Sequence, residues 1–421
     1  MNKYYDPNFY YTNEKFSNII LLVAKMKDLV DGECLKKAVN SLRKRFPYFF
    51  VGLHITDKEY EVVSNPNPII VRNTWKNTSI GSKENNYHLV AIKYYDNRIG
   101  LEVSHSLTDG QGIMPFMKAI LYYYVCEKEK IKLDSTNIRV IGSEIPESEI
   151  GTPYPEEEVN SIEKPFYQKP KVDFYKINES HNKNDNNATY YCIKVKENDI
   201  MKYCKENDGS PNVIVSTLLA RSIRKLDTET QKAITAGVAI SHKAMLGNRN
   251  NYRMTASTVD VKYTKDRENA DISTLNTLAR AQIMLQAQIE NSLFYAKMLK
   301  QGFEKMSQIP TLQMKKDLMK DVALTPRTTF AVSYIGERSF EAVNPYIEEF
   351  YVVVEPTTSD IVCEISCFDG YFYLSIMQSF SSQVYVQEFM NELKELNIFY
   401  EFKGKEGLEV SSVNYEEMQV V

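Results

Sequence analysis

The chain holds a single tryptophan, Trp75, five histidines and six cysteines among 421 residues, and each scarcity removes a class of function. The histidines fall at positions 54, 88, 105, 181 and 242. They share no ligand spacing, and His105 with Asp109 supplies only two ligands, so no metal site is expected. Six cysteines without a secretion signal are expected as reduced thiols, and none has a paired histidine that would mark a nucleophile. Cys363 and Cys367 fall on one face of an alternating strand, where packing is the expected role. The segment 1–7 is polar, which predicts no signal peptide, and no apolar run approaches the ~18 residues of a membrane span. With a net charge of -4 and both signs interspersed, there is no basic patch for nucleic acid. A cytoplasmic protein is expected. What is present is 43% apolar residues over a length that suits about two domains.

Chemistry can be read at one place, His105-Ser106-Leu107-Thr108-Asp109-Gly110. The alternation of Leu101 and Val103 against Glu102 and Ser104 predicts a strand that ends at His105. After Gly110, the apolar positions Ile113, Phe116, Met117, Ile120, Leu121, Tyr124 and Val125 recur at helical spacing. The predicted order is strand, short loop, helix. A histidine so held can act as a general base, because an imidazole with a pKa of about 6.5 keeps a neutral fraction near pH 7. Gly110 removes a side chain where the backbone bends or a ligand passes.

His-x-x-x-Asp-Gly after a strand, in the first third of a chain of this length, resembles the active-site motif of the chloramphenicol acetyltransferase-like superfamily, two-domain branch. Asp109-Gly110-Gln111-Gly112 running into an apolar helix is most similar to the bacterial alcohol acetyltransferase-like group. The resemblance implies that His105 takes a proton from the acceptor hydroxyl or amine. It implies a structural Asp109, turned from the cavity toward an arginine; no particular arginine is singled out. Residues 212–220 resemble a helix of the family's second half that begins with a small polar residue, and 329–336, with Ser333, its Ser-x-x-Gly segment near the domain crossover. No Asp-Phe-Gly-Trp-Gly segment of the plant-type branch is found, and Ser104 stands where condensation domains carry a second histidine.

Two halves read alike. In the first, a strand at 19–24 is followed, after Asp31-Gly32, by a helix bearing Leu35, Ala38, Val39, Leu42 and Phe46, with short strands expected near 49–54, 59–63 and 89–95. Residues 127–187 read as a crossover or linker with little core. In the second, a strand at 189–195 precedes a helix capped by Ser210, and one long helix is expected over 271–300. Asp369-Gly370 is a hairpin turn, 371–378 a strand, and Ser382 a helix cap. Gln378 follows Gly370 by the eight residues that separate His105 from Asn97, so a glutamine stands at the base's counterpart and one active site is expected.

The expected fold class is therefore α+β, two α/β sandwich subdomains with mixed or antiparallel sheets and the site in a channel between them. The N-terminal subdomain spans 1–175 and the C-terminal pseudo-repeat 186–421. The expected function is acyl transfer from acyl-CoA or an acyl-carrier protein to a small alcohol or amine, with no permanently bound cofactor. Ser333 is the candidate oxyanion or substrate contact. The alternatives are a stand-alone condensation-type enzyme using carrier-bound substrates and a non-catalytic binding protein of the same fold.

Overall fold

The computed structural model describes residues 7–12, 17–169, 173–177, 188–323, 327–336, 338–357, 359–408 and 411–418. His181 and much of the segment before residue 188 lie outside them.

Two sheets organise the molecule. The first has five strands in the order Ile347–Val354, Ile19–Met26, Arg98–Ser104, Val90–Tyr95, Val71–Asn73, antiparallel except at the Val71–Asn73 edge. The second has seven: Ala256–Tyr263, Ile234–Ser241, Phe330–Tyr334, Ile361–Phe368, Tyr371–Gln378, Thr189–Lys196 and Tyr400–Gly407. Phe330–Tyr334 runs parallel to both of its neighbours. The repeated unit is visible in the strand order. Val90–Tyr95, Arg98–Ser104 and Ile19–Met26 lie side by side in the first sheet, as do Ile361–Phe368, Tyr371–Gln378 and Thr189–Lys196 in the second. In each sheet the first two of these strands form a hairpin that leads into a helix, Gly110–Glu129 or Val384–Glu395.

The halves interlock. Strand Ile347–Val354, from the second half of the sequence, pairs along Ile19–Met26 and closes the first sheet. Ser412 and Val413 pair with Ser79 and Ile80. The segments 1–175 and 186–421 therefore exchange elements rather than stand side by side. Tyr190, Cys192, Tyr373 and Met377, from one face of the second sheet, pack into the apolar core of the first half. The opposite face, with Tyr191, Ile193, Cys363, Cys367 and Leu374, forms the second core under helices Pro211–Leu226 and Val384–Glu395. This places Cys363 and Cys367 together on the helix-covered face, and all six thiols are free.

Three local expectations are corrected. The predicted long helix is two, Ile272–Gln286 and Ile289–Gln308. The break is satisfied by Asn291, whose Nδ2 donates to the carbonyls of Leu285 and Gln286 at 3.0 Å each, the groups a helix end leaves without partners. Ser210 sits at the N-cap of Pro211–Leu226 without a capping hydrogen bond from its hydroxyl. Gln383, not Ser382, is the N-cap of Val384–Glu395. No helix among the described residues is long and apolar enough to cross a membrane.

Candidate active site

His105 follows the last residue of Arg98–Ser104, and its backbone N–H donates to Asn18 O at 2.8 Å, so the peptide carrying the ring is fixed at the sheet's end. The strand is braced from the C-terminal segment. Glu102 is sealed from solvent, accepts from Lys93 Nζ at 3.0 Å and from the Ser411 N–H at 2.9 Å, and Ser104 Oγ lies 3.1 Å from Tyr415 Oη. His105 itself is half-buried. No side chain among the described residues hydrogen-bonds its ring.

Asp109 turns away from that ring. It is the N-cap of the motif helix Gly110–Glu129, and its Oδ1 accepts from the Gly112 N–H at 2.8 Å. Its Oδ2 accepts from Lys243 Nζ and from the Thr255 N–H at 3.1 Å. Lys243 also donates to Arg253 O at 2.8 Å. The partner cation is thus a lysine, where the resemblance implied an arginine. Burial holds the Lys243 ammonium below the usual lysine range, with Asp109 pulling it back up. His242, next to it, bonds Ser292 Oγ through Nδ1 and Ser257 Oγ through Nε2, and burial brings it down to about 4, which keeps it neutral near pH 7.

Both motif glycines serve contact between the halves. A Cβ at Gly112 would run into the Tyr252 carbonyl and the Thr108 hydroxyl, which itself donates to Tyr252 O. One at Gly110 would come 2.7 Å from Ile335 Cδ1. Beside them Ser241 Oγ donates to Gln111 Oε1 at 2.8 Å. These contacts bring the motif's end against one face of the second sheet.

Ser333 lies on that face. It stands opposite Glu364 in the parallel register of Phe330–Tyr334 with Ile361–Phe368, and its hydroxyl favours the charged form of the Glu364 carboxyl. Ala331 and Ser333 are half-buried and Glu364 keeps 7% of its surface, whereas Phe330, Val332, Cys363 and Ile365 on the reverse face keep none. The end of the His105–Gly110 motif and Gln111 thus lie against Ile335 and Ser241, on the side of the second sheet that carries Ser333 and Glu364. Burial pushes the Glu364 carboxyl up to about 7, against the lowering pull of Ser333. Gln378, at the end of its strand, is sealed and donates to Ser382 O at 2.8 Å, a structural use of the position that corresponds to the histidine. A cavity of about 330 Å³ lined by Arg224, Tyr263 and Arg267, among others, shares no residue with the motif.

Sequence reasoning missed Lys243, Thr255 and Glu364. A search for an arginine passes over Lys243, although a lysine just after the apolar strand Ile234–Ser241 is a readable signal. Glu364 is the lone charge in Ile361–Phe368, a strand buried on both faces, where a carboxylate is rare.

Neither a family profile nor a curated protein matches the chain by sequence. Solved structures do match by fold. Polyketide synthase associated protein 5 from Mycobacterium tuberculosis is similar at a TM-score of 0.57 and 12% identity over 89% of this chain and 92% of that one. TRI101 from F. sporotrichioides, solved with coenzyme A and T-2, is similar at 0.57 and 11% over 96% and 98%. The epimerization domain of the third module of tyrocidine synthetase B is similar at 0.54 and 10% over 93% and 92%. With two sheet-and-helix halves meeting at the motif, the chain has the two-domain fold of the chloramphenicol acetyltransferase-like acyltransferases and condensation domains.

Proposed function

We propose that the protein is an acyltransferase that moves an acyl group from a thioester to a small alcohol or amine in a crevice between the halves, where the motif meets the second sheet. His105 is the general base. The observation that carries this is the division of labour within the motif: the imidazole is half-buried and no side chain among the described residues hydrogen-bonds it, while Asp109, four residues on, is committed to Lys243 and Thr255. His105 Nε2 takes the acceptor's proton as its oxygen or nitrogen attacks the thioester carbonyl carbon. The tetrahedral intermediate collapses with cleavage of the C–S bond, the imidazolium returns the proton to the departing thiolate, and an ester or amide leaves with a free thiol. No covalent enzyme intermediate is required.

Asp109 and Lys243 are positioning residues, since they fix the loop without touching the ring. Ser333 faces the crevice from the other half. When Glu364 carries a proton, the Ser333 hydroxyl is free to donate to an oxyanion; an ionised Glu364 competes for it. The donor is acyl-CoA or an acyl-carrier thioester; TRI101, of the same fold, was solved with coenzyme A. The test is thiol release from acetyl-CoA, and from an acetylated carrier protein, in the presence of mixed alcohols and amines, with products identified by mass. Acceptor-dependent thiol release supports the reading. Its absence with every donor and acceptor, from a folded protein, overturns it.

A further inference from the structure

The buried carboxylates of this protein follow a rule with one exception. Glu102 is paired with Lys93 at 3.0 Å, Glu149 with Arg45 at 2.6 Å and Arg139 at 3.0 Å, Glu349 with Lys403 at 3.0 Å, and Glu392 with Arg221 at 2.9 Å and Lys225 at 2.8 Å. Asp109 is paired with Lys243. Glu364 is also buried, and no cation among the described residues pairs with it; Ser333 is the neighbour that favours its charged form. An ionised carboxylate taken out of water needs a countercharge or it stays protonated.

Glu364 keeps 7% of its surface, about as much as the paired Glu349, and lies on the face that also exposes Ser333. Directly beside it in register is Ser375, with Cys192 one step further across the ladder, so the groups flanking the carboxyl on this face are hydroxyls and a thiol and none is a cation. This stretch of the second sheet carries one uncompensated carboxyl, on the face against which the end of the histidine motif packs.

We propose that Glu364 is the recognition group for an acceptor that carries a basic amine, whose ammonium supplies the cation this carboxylate lacks. The inference rests on the acyl-transfer reading for the word acceptor, but the binding of an amine does not. A primary ammonium has three N–H donors, which suits a carboxylate with hydroxyls at its side. Binding would ionise Glu364, which then competes for the Ser333 hydroxyl. The oxyanion use of Ser333 and the amine use of Glu364 therefore oppose each other.

The test is equilibrium binding to the full chain of matched pairs, a series of linear amino alcohols of increasing length against the alkanols lacking the amine, for the wild type and for Glu364→Gln. The account expects at least one amino alcohol to bind about tenfold or more tightly than its alkanol, the scale of one charged hydrogen bond, and expects that preference to vanish in Glu364→Gln through weaker binding of the amine alone. Glu364→Gln removes the ionisable carboxyl and keeps the side chain's size; its thermal unfolding beside the wild type verifies the fold, and Glu364→Asp, which keeps a carboxyl, should retain part of the preference. A preference that survives in Glu364→Gln, or no amine preferred over its alkanol anywhere in the series, overturns the proposal. Failure of acyl transfer is read separately, from acetyl-CoA turnover. Amine binding through Glu364 without turnover would sink the acyltransferase reading alone, and His105-dependent turnover of alkanols without amine preference would sink this inference alone.

Discussion

Asp109 and Lys243 form a buried pair in which each member makes the other tolerable. Replacing Asp109 with Asn leaves the Lys243 ammonium inside the protein without its countercharge, a loss on the order of 3–5 kcal/mol for a broken buried pair. The expected outcome is a clear drop in melting temperature together with reduced activity. An Asp109→Asn protein with unchanged melting temperature would mean that the pair does not hold the loop. Two buried imidazoles give a pH signature. His242 and His88 are both brought down by burial from 6.5 to about 4, so between these values the unfolded chain binds more protons than the native one. Their contribution to stability is complete above pH 6.5 and is lost as pH falls through 4. Glu364, raised from 4.5 to about 7, has the opposite slope over part of that window, but it is one group against two. Denaturant unfolding at pH 7 and pH 5 should differ by on the order of 1–3 kcal/mol in favour of pH 7. His242→Gln should narrow the gap, and an unaltered gap would show that His242 does not stay neutral.

Secondary elements set the motif by contact as much as by spacing. The first turn of Gly110–Glu129 lies against the chain at Tyr252, where no Cβ fits at Gly112. Gly112→Ala must push the helix from the backbone it touches, at a cost of about 1–3 kcal/mol for overpacking, and should lower activity by displacing the His105 loop. Full activity and stability in Gly112→Ala would mean that this contact does not position the motif. This level also marks the limit of what the sequence reveals. Strand Arg98–Ser104 and helix Gly110–Glu129 were legible because alternation gives way to helical spacing at His105, and the hairpin at Asp369-Gly370 because that pair favours a tight turn. The partner of Asp109 was not legible. Lys243 lies 134 residues along the chain, and only the packing of the halves brings it near. The break near Ala287 was hidden for a related reason, since a side chain, Asn291, rather than a proline or glycine, satisfies the helix end.

At the scale of the whole molecule, the halves hold each other in shape. Strand Ile19–Met26 has Ile347–Val354 on one side, so a fragment of residues 1–175 would expose that edge as well as lose Lys243 and the wall bearing Ser333 and Glu364. An unpaired apolar strand edge is an aggregation site. The fragment should be insoluble or inactive, and a soluble, active fragment would contradict the crevice between halves. The central claim, that His105 is the base of an acyl transfer in that crevice, is tested most directly by kcat for acetyl-CoA-dependent acylation in wild type and His105→Ala, with matching melting curves to confirm the fold. The account predicts a loss of at least about 100-fold, the usual range for a general base, at an unchanged melting temperature. A folded His105→Ala protein that turns over at near the wild-type rate would contradict it.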